Sequence, residues 1–202
     1  MEQLLMRWNC KNVEIPEMNP LYLYHQFYRG GDAFYTEERF QEEWMRVIDN
    51  PKEKALYYWH WYYDDVRIPD DAFFLVTDKD KHLAATAACQ IGEHLPGTAT
   101  LHMVKCDPNH IGKGLGRVVT VAAMQYAFET GIEIMYLTTD DFRIPAIKLY
   151  LQLGWIPEIN SDEMLNRWCK IARDLKLEKL TICDKYGKKA EINISEGYLS
   201  KK

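Results

Sequence analysis

Residues 109–119 read NHIGKGLGRVV, with glycine at 112, 114 and 116, lysine at 113 and arginine at 117. Glycines at alternate positions let a backbone approach a ligand closely, and the two cations add positive charge, so the pattern suits an anion such as a diphosphate. The run follows an extended apolar segment, TATLHMVKC (98–106), and precedes Leu115, Val118, Val119, Ala122, Ala123, Tyr126 and Ala127, which recur at helical spacing. A strand-to-helix junction there brings unpaired amides and the positive end of a helix dipole to the glycines. A sharp turn that holds no ligand would use the same residue types. Two nucleotide motifs fail at named positions. The phosphate loop needs Gly-Lys-Ser/Thr where Gly116 is followed by Arg117 and Val118, and a dinucleotide fingerprint needs a glycine where Arg117 or Val119 stands.

The glycine run and the segment LTTDDFRIPAIKLYLQLGWIPE (137–158) together resemble the GCN5-related N-acetyltransferase (GNAT) superfamily. The cofactor motif of that family, Arg/Gln-x-x-Gly-x-Gly/Ala, is matched by Ile111, Gly112, Lys113, Gly114, Leu115 and Gly116, with Ile111 in place of Arg or Gln. Its second hallmark, Asn-x-x-Ala-x-x-x-Tyr-x-x-x-Gly-Phe, is matched by Arg143, Ala146, Tyr150, Gly154 and Trp155, with Arg143 in place of asparagine. The resemblance covers 72–158. It implies acetyl-CoA as co-substrate; no metal is expected, since the histidines offer no ligand spacing for one. Backbone at Val104 and Cys106 would pair with the pantetheine arm, amides from Ile111 to Arg117 would hold the diphosphate, and Arg143 would reach cofactor phosphate or acceptor. It also implies transfer of an acetyl group to a primary amine of a small molecule or a protein, with Tyr150 as the general acid. The implied fold is an α/β (α+β) one, a mixed, mostly antiparallel twisted sheet of about six to seven strands flanked by helices.

The base is open. In the histone-acetylating branch of the family a glutamate on the fourth strand serves, and Thr100 stands there. His102, two residues on, shares that strand face and is a candidate, because imidazoles ordinarily titrate near neutral pH. Glu93 is a rival, and so is direct proton loss to water. Cys106 lacks the adjacent histidine and acid of an acyl-enzyme nucleophile. The run Tyr57, Tyr58, Trp59, His60, Trp61, Tyr62, Tyr63, Asp64, Asp65 offers aromatic faces and carboxylates for an ammonium, but core packing or a homodimer surface would use it equally well. Two other functions stay open at this level: an acyl-CoA-binding module without catalysis, and an interaction protein acting through the aromatic run.

Around these residues the chain sets out its elements. A strand at 4–8 comes first, then a helix capped by Thr36 with Phe40, Trp44, Val47 and Ile48 on one face, stopped by Asn50 and Pro51. Runs at 72–77 and 82–91 form a hairpin, 98–106 continues the sheet, and Gly131 closes the long helix. A strand at 132–139 follows, then a helix opened by Pro145 and ended by Gly154, a helix from Ser161, and a terminal hairpin. The expectation is one domain over 1–202, with a variable acceptor-side region at 1–71 and a C-terminal helix and hairpin extension at 160–202.

The 202 residues are 47% hydrophobic and carry a net charge of -5, enough for a sizeable core and without global attraction to nucleic acid or an anionic membrane. No apolar run approaches the roughly 20 residues of a membrane span, and MEQLLMRWNCKN lacks the apolar segment of a secretory leader. Five scattered cysteines without a CxxC fit reduced thiols in a cytoplasmic protein. The histidines show no HxxxH or HExxH spacing for a metal.

Overall fold

A computed structural model describes residues 2–32, 34–48, 52–65 and 67–194, with side chains in the third stretch described from residue 56. In chain order the elements are β1 (Leu4–Asn9), β2 (Tyr22–Phe27), α1 (Glu37–Ile48), α2 (Lys52–Tyr63), β3 (Phe73–Asp78), β4 (Leu83–Ile91), β5 (Thr98–Cys106), a 3-10 turn (Pro108–His110), α3 (Leu115–Glu129), β6 (Ile134–Thr139), α4 (Ile144–Gln152), β7 (Ile156–Pro157), α5 (Asp162–Asp174), β8 (Lys179–Cys183) and β9 (Lys189–Asn193). The fold class is the expected one: mixed α/β, with seven mostly antiparallel sheet strands, five helices and a separate β8-β9 hairpin among the described residues. Two compact units divide the chain, Cys10–Met135 and a smaller one of Met1–Asn9 with Tyr136–Lys202.

In the larger unit β2, β3, β4 and β5 pair antiparallel in that order. β4 is apolar without alternation and buried from Leu83 to Gln90, as a strand covered on both faces must be, and α1 and α3 both pack against it. Phe40 of α1 gathers Phe27, Trp59, Tyr63 and Phe73 around one centre, with ring centroids between 4.3 and 6.2 Å. Along α3, Leu115, Val118, Val119 and Ala122 are buried, the leucine and valines contributing about 1.5–3 kcal/mol each. That burial fixes the first turn of α3, and with it the direction of its leading amides.

Two elements of this unit are absent from the sequence reading. β2 is an edge strand with a mixed burial pattern and Leu23 52% exposed, so it shows no clean alternation. α2 carries rings at nearly every position from 57 to 63, which hides its period; Trp59 and Tyr63 face the core, while Tyr57 and Trp61 are about half exposed. The stop at Asn50 and Pro51 lies outside the described residues. β6 begins at Ile134 rather than 132, because the amides of Gly131 and Ile132 still close α3 on the carbonyls of Phe128 and Ala127.

In the smaller unit β1 pairs antiparallel with β7 and lies beside β6. Trp8 stacks on Trp155, and Ser161 caps α5 by accepting from the Met164 amide. The helical spacing of Met164, Leu165, Trp168, Ile171, Ala172 and Leu175 predicts one inward face of α5; Met164, Trp168, Ile171 and Ala172 are buried there, while Leu165 and Leu175 are half-buried.

Candidate active site

Asp107 directly follows β5 and is 2% exposed, and its carboxylate accepts a hydrogen bond from the Asn109 amide at 2.8 Å. Pro108 opens the 3-10 turn, and the His110 amide returns to the Asp107 carbonyl. Arg46 of α1 reaches the same carboxylate and also donates to the Leu83 carbonyl at 2.7 Å and to Glu43 at 2.8 Å. Burial alone would raise the Asp107 carboxyl; the Asn109 amide and the Arg46 guanidinium outweigh it and hold the group below the usual carboxylate range. The entry to the glycine turn is therefore pinned from α1.

The three glycines have two different jobs. Gly112 and Gly114 have φ of +80° and +78°, the left-handed region, and a Cβ on either would meet nothing within 4 Å. Gly114 is the N-cap of α3 and makes no side-chain cap; the Arg117 amide returns to the Gly114 carbonyl at 3.0 Å, and the Gly116 amide donates a hydrogen bond to the Cys106 thiol. Gly116 has ordinary φ, but a Cβ there would stand 3.2 Å from Cys106 Sγ; its absence lets α3 start against the end of β5. Lys113 donates to the Asn109 carbonyl at 3.2 Å and lies over the Tyr22 ring, Arg117 is exposed, and Leu115 is buried. Ile111 is 69% exposed. A helix start without a side-chain cap, left-handed glycines and flanking cations fit a diphosphate.

Just before the turn β5 is irregular. Thr86 faces Lys105 and Ala88 faces His102, so Met103 and Val104 together oppose Ala87 in a bulge, and Met103 takes φ of +51°. The bulge takes Val104 out of the β4 ladder, which suits backbone pairing with an amide-bearing arm. Cys106 is half-buried; burial raises its thiol, while the Gly116 amide hydrogen bond pulls the other way, and the net shift is upward. A raised thiol is a poor nucleophile, in keeping with a packing role.

His102 lies one residue before the bulge. Its Nε2 is 2.7 Å from Glu93 Oε2, and the Tyr62 ring covers it with centroids 4.9 Å apart. Burial pushes the Tyr62 phenol up to about 12. Asp65, just past α2, binds Arg67 through both oxygens and accepts from Gln90 Nε2 at 2.8 Å. The two candidates for the base, His102 and Glu93, are thus partners in one contact. Spacing along the chain gave no sign of it, since the turn at 92–97 brings Glu93 back over β5.

In the smaller unit Tyr150 lies on α4, 6% exposed, with its ring 6.2 Å from Trp155. Pro145 stands in the first turn of α4 and Gly154, φ +87°, follows its end, as expected. Arg143 is the N-cap residue and pairs with Asp140 at 3.1 Å while stacking on Phe142.

A family model described as the Acetyltransferase (GNAT) family matches residues 32–155. The chain belongs to that family. It is 24% identical over 174 residues to an uncharacterized N-acetyltransferase of Methanocaldococcus jannaschii, covering 84% of this chain and 68% of the relative. It is 27% identical over 128 residues to a mycothiol acetyltransferase of Thermomonospora curvata, covering 58% of this chain and 41% of that protein. Among solved structures, a GCN5-related N-acetyltransferase from Sphaerobacter thermophilus superimposes with a TM-score of 0.58 at 18% identity, over 76% of this chain and 47% of that one, which establishes the GNAT fold. The chain therefore spans less than half the length of the Thermomonospora and Sphaerobacter proteins it matches. Among the described residues no helix is long and apolar enough to cross a membrane, and no group of three or more His, Cys, Asp or Glu is placed to hold a metal ion.

Proposed function

We propose that this GNAT chain is an acetyltransferase that moves the acetyl group of acetyl-CoA to a primary amine. The observation that carries the reading is the uncapped start of α3 behind two left-handed glycines, directly after the bulge in β5. Acetyl-CoA supplies an acetyl group activated as a thioester. Amides from Ile111 to Arg117 hold its diphosphate, with Lys113 and Arg117 adding charge, and backbone at Val104 and Cys106 pairs with its arm. The amine nitrogen forms the new C–N bond as the C–S bond breaks. His102 takes the proton lost by the amine, and the Tyr150 phenol gives a proton to the departing thiolate; both return to their starting states by exchange with water. Arg143, now paired with Asp140, is a second cation for phosphate or acceptor. The relatives named mycothiol acetyltransferase put a small-molecule acceptor ahead of a protein one.

The test is free-thiol release from acetyl-CoA in the presence of spermidine, glucosamine and a lysine-containing peptide with a free N-terminus. Tyr150→Phe should lower kcat by about 10²-fold or more while acetyl-CoA affinity, measured by calorimetry, stays within about twofold. Equal loss of kcat and affinity would remove Tyr150 from the acid role. Binding without thiol release from any amine would leave a module that holds acyl-CoA and does no chemistry.

A further inference from the structure

The His102 contact carries more than the choice of a base. We propose that Glu93 is a positioning residue that fixes His102 as the Nε2–H tautomer, so that Nδ1 is the atom that takes the proton from the acceptor amine. The inference rests on the acetyl-transfer reading and names the atom that works in it.

Nε2 lies 2.7 Å from a carboxylate oxygen that can only accept, so the ring proton resides on Nε2 and the lone pair on Nδ1. Both side chains are largely withdrawn from water, 12% exposed for His102 and 29% for Glu93, so the contact is weakly screened. Its hydrogen bond to His102 is the main reason the Glu93 carboxyl falls below the usual range, against the opposing effect of burial; the charge of His94 acts in the same direction. The remaining charged and titratable neighbours are Tyr62, Asp65 and Arg67. Asp65 is engaged by Arg67, with Nη2 at 2.7 Å and Nε at 3.1 Å, and by Gln90. That leaves Glu93 as the carboxylate that balances an imidazolium when His102 accepts a proton. The Tyr62 face limits ring rotation, and the bulge at Met103 sets the strand direction immediately after His102.

A purely structural pair would tie the 92–97 turn to β5 and leave proton transfer alone. Two measurements on the full chain separate these roles. Nitrogen-15 NMR of the histidine rings reads the tautomer and titration midpoint of His102 without any turnover, and the pH dependence of kcat/KM is taken with acetyl-CoA and the fastest amine among spermidine, glucosamine and the peptide. Wild type should show the Nε2–H tautomer, and the acid limb of kcat/KM should coincide with the His102 midpoint. Glu93→Gln keeps an acceptor for Nε2–H but loses the charge, so midpoint and limb should fall together, with a plateau rate about tenfold lower. His102→Gln should erase the limb and cost about 10²-fold in kcat/KM.

An Nδ1–H ring in wild type overturns the proposal, and so does a Glu93→Gln midpoint that moves while the acid limb stays. Unchanged midpoint and limb in a folded Glu93→Gln variant overturn it as well. In each of those cases thiol release by wild type leaves the acetyl-transfer reading standing. Failure of wild type to release thiol with every amine sinks that reading, and the proposal with it, whatever tautomer the ring shows.

Discussion

The glycine turn and the His102 contact are carried by one strand, β5, and are built in opposite ways. The turn is made of backbone: two left-handed glycines, an N-cap without a side chain, and a buried Asp107 that fixes the entry. The contact is made of side chains from separate segments, Tyr62 and Asp65 near the end of α2, Glu93 from the β4–β5 turn and His102 from β5. On the proposed reading, the donor end would depend on conformation, and the acceptor end on charge and tautomer. Substitutions should divide along the same line. Changes in the turn alter acetyl-CoA affinity, and changes around His102 alter the response to amine and pH.

The largest separation is expected at Gly114. A valine there must hold φ near +78°, where an L-residue costs about 1–2 kcal/mol and a β-branched one more, and its side chain fills the space before the leading amides of α3. Because a Cβ at that point meets no protein atom within 4 Å, the fold should survive. Gly114→Val should weaken acetyl-CoA binding by about 10²-fold in calorimetry, with the His102 midpoint unchanged. Full affinity in a folded Gly114→Val variant would break the comparison at its root, since the turn would not be the diphosphate cradle.

The same contrast decides how much could be read from the sequence. The glycine turn, the hairpin, α3 and the segment around Tyr150 were legible because each is local: glycines at fixed spacing, apolar residues at helical period, proline and glycine as start and stop. The two jobs of the glycines were not, since the closeness of Gly116 to Cys106 Sγ is a tertiary fact. α2 was hidden because an unbroken run of rings has no period, although Trp59 and Tyr63, stacked at 4.2 Å, form an ordinary inward pair four residues apart. Glu93 and His102 were named as rivals because nine positions in the chain say nothing of a 2.7 Å contact across a turn. β2 escaped because an edge strand need not alternate.

A smaller effect belongs to the acceptor end. Tyr62 covers His102, and its neighbours Tyr58 and Trp61 extend the aromatic surface, with centroids 6.3 Å from Tyr62 in each case. On the proposed reading, a cationic amine approaching His102 would pass this face, where a cation over an aromatic ring gains about 0.5–2 kcal/mol. Tyr62→Leu keeps the bulk and removes the ring. It should raise KM for spermidine by about three- to tenfold and leave calorimetric affinity for acetyl-CoA unaltered. The opposite pattern, weaker acetyl-CoA and unchanged amine KM, would assign Tyr62 to the donor end.

The mildest effect concerns the pin beneath the turn. Arg46→Met leaves the buried Asp107 carboxylate with the Asn109 amide but without the guanidinium. Because the Arg46 side chain is 43% exposed and water can replace part of its charge, the loss should be about 1–2 kcal/mol, or roughly 2–8 °C in Tm. Glu43 shares the same arginine; burial would raise its carboxyl, but hydrogen bonds from Arg46, His82 and the Leu83 amide bring it down on balance. Carboxyls with lowered folded pKa add stability that is present above their unfolded values near pH 4 and is lost as the pH falls through the folded ones. The melting difference between wild type and Arg46→Met should therefore be full at pH 7 and close toward pH 3, and acetyl-CoA affinity should drop a few-fold as the entry loosens. A difference that persists undiminished in acid would mean that the methylene stem of Arg46, packing rather than charge, holds the turn, and the donor end would then owe nothing to electrostatics beyond its own amides and cations.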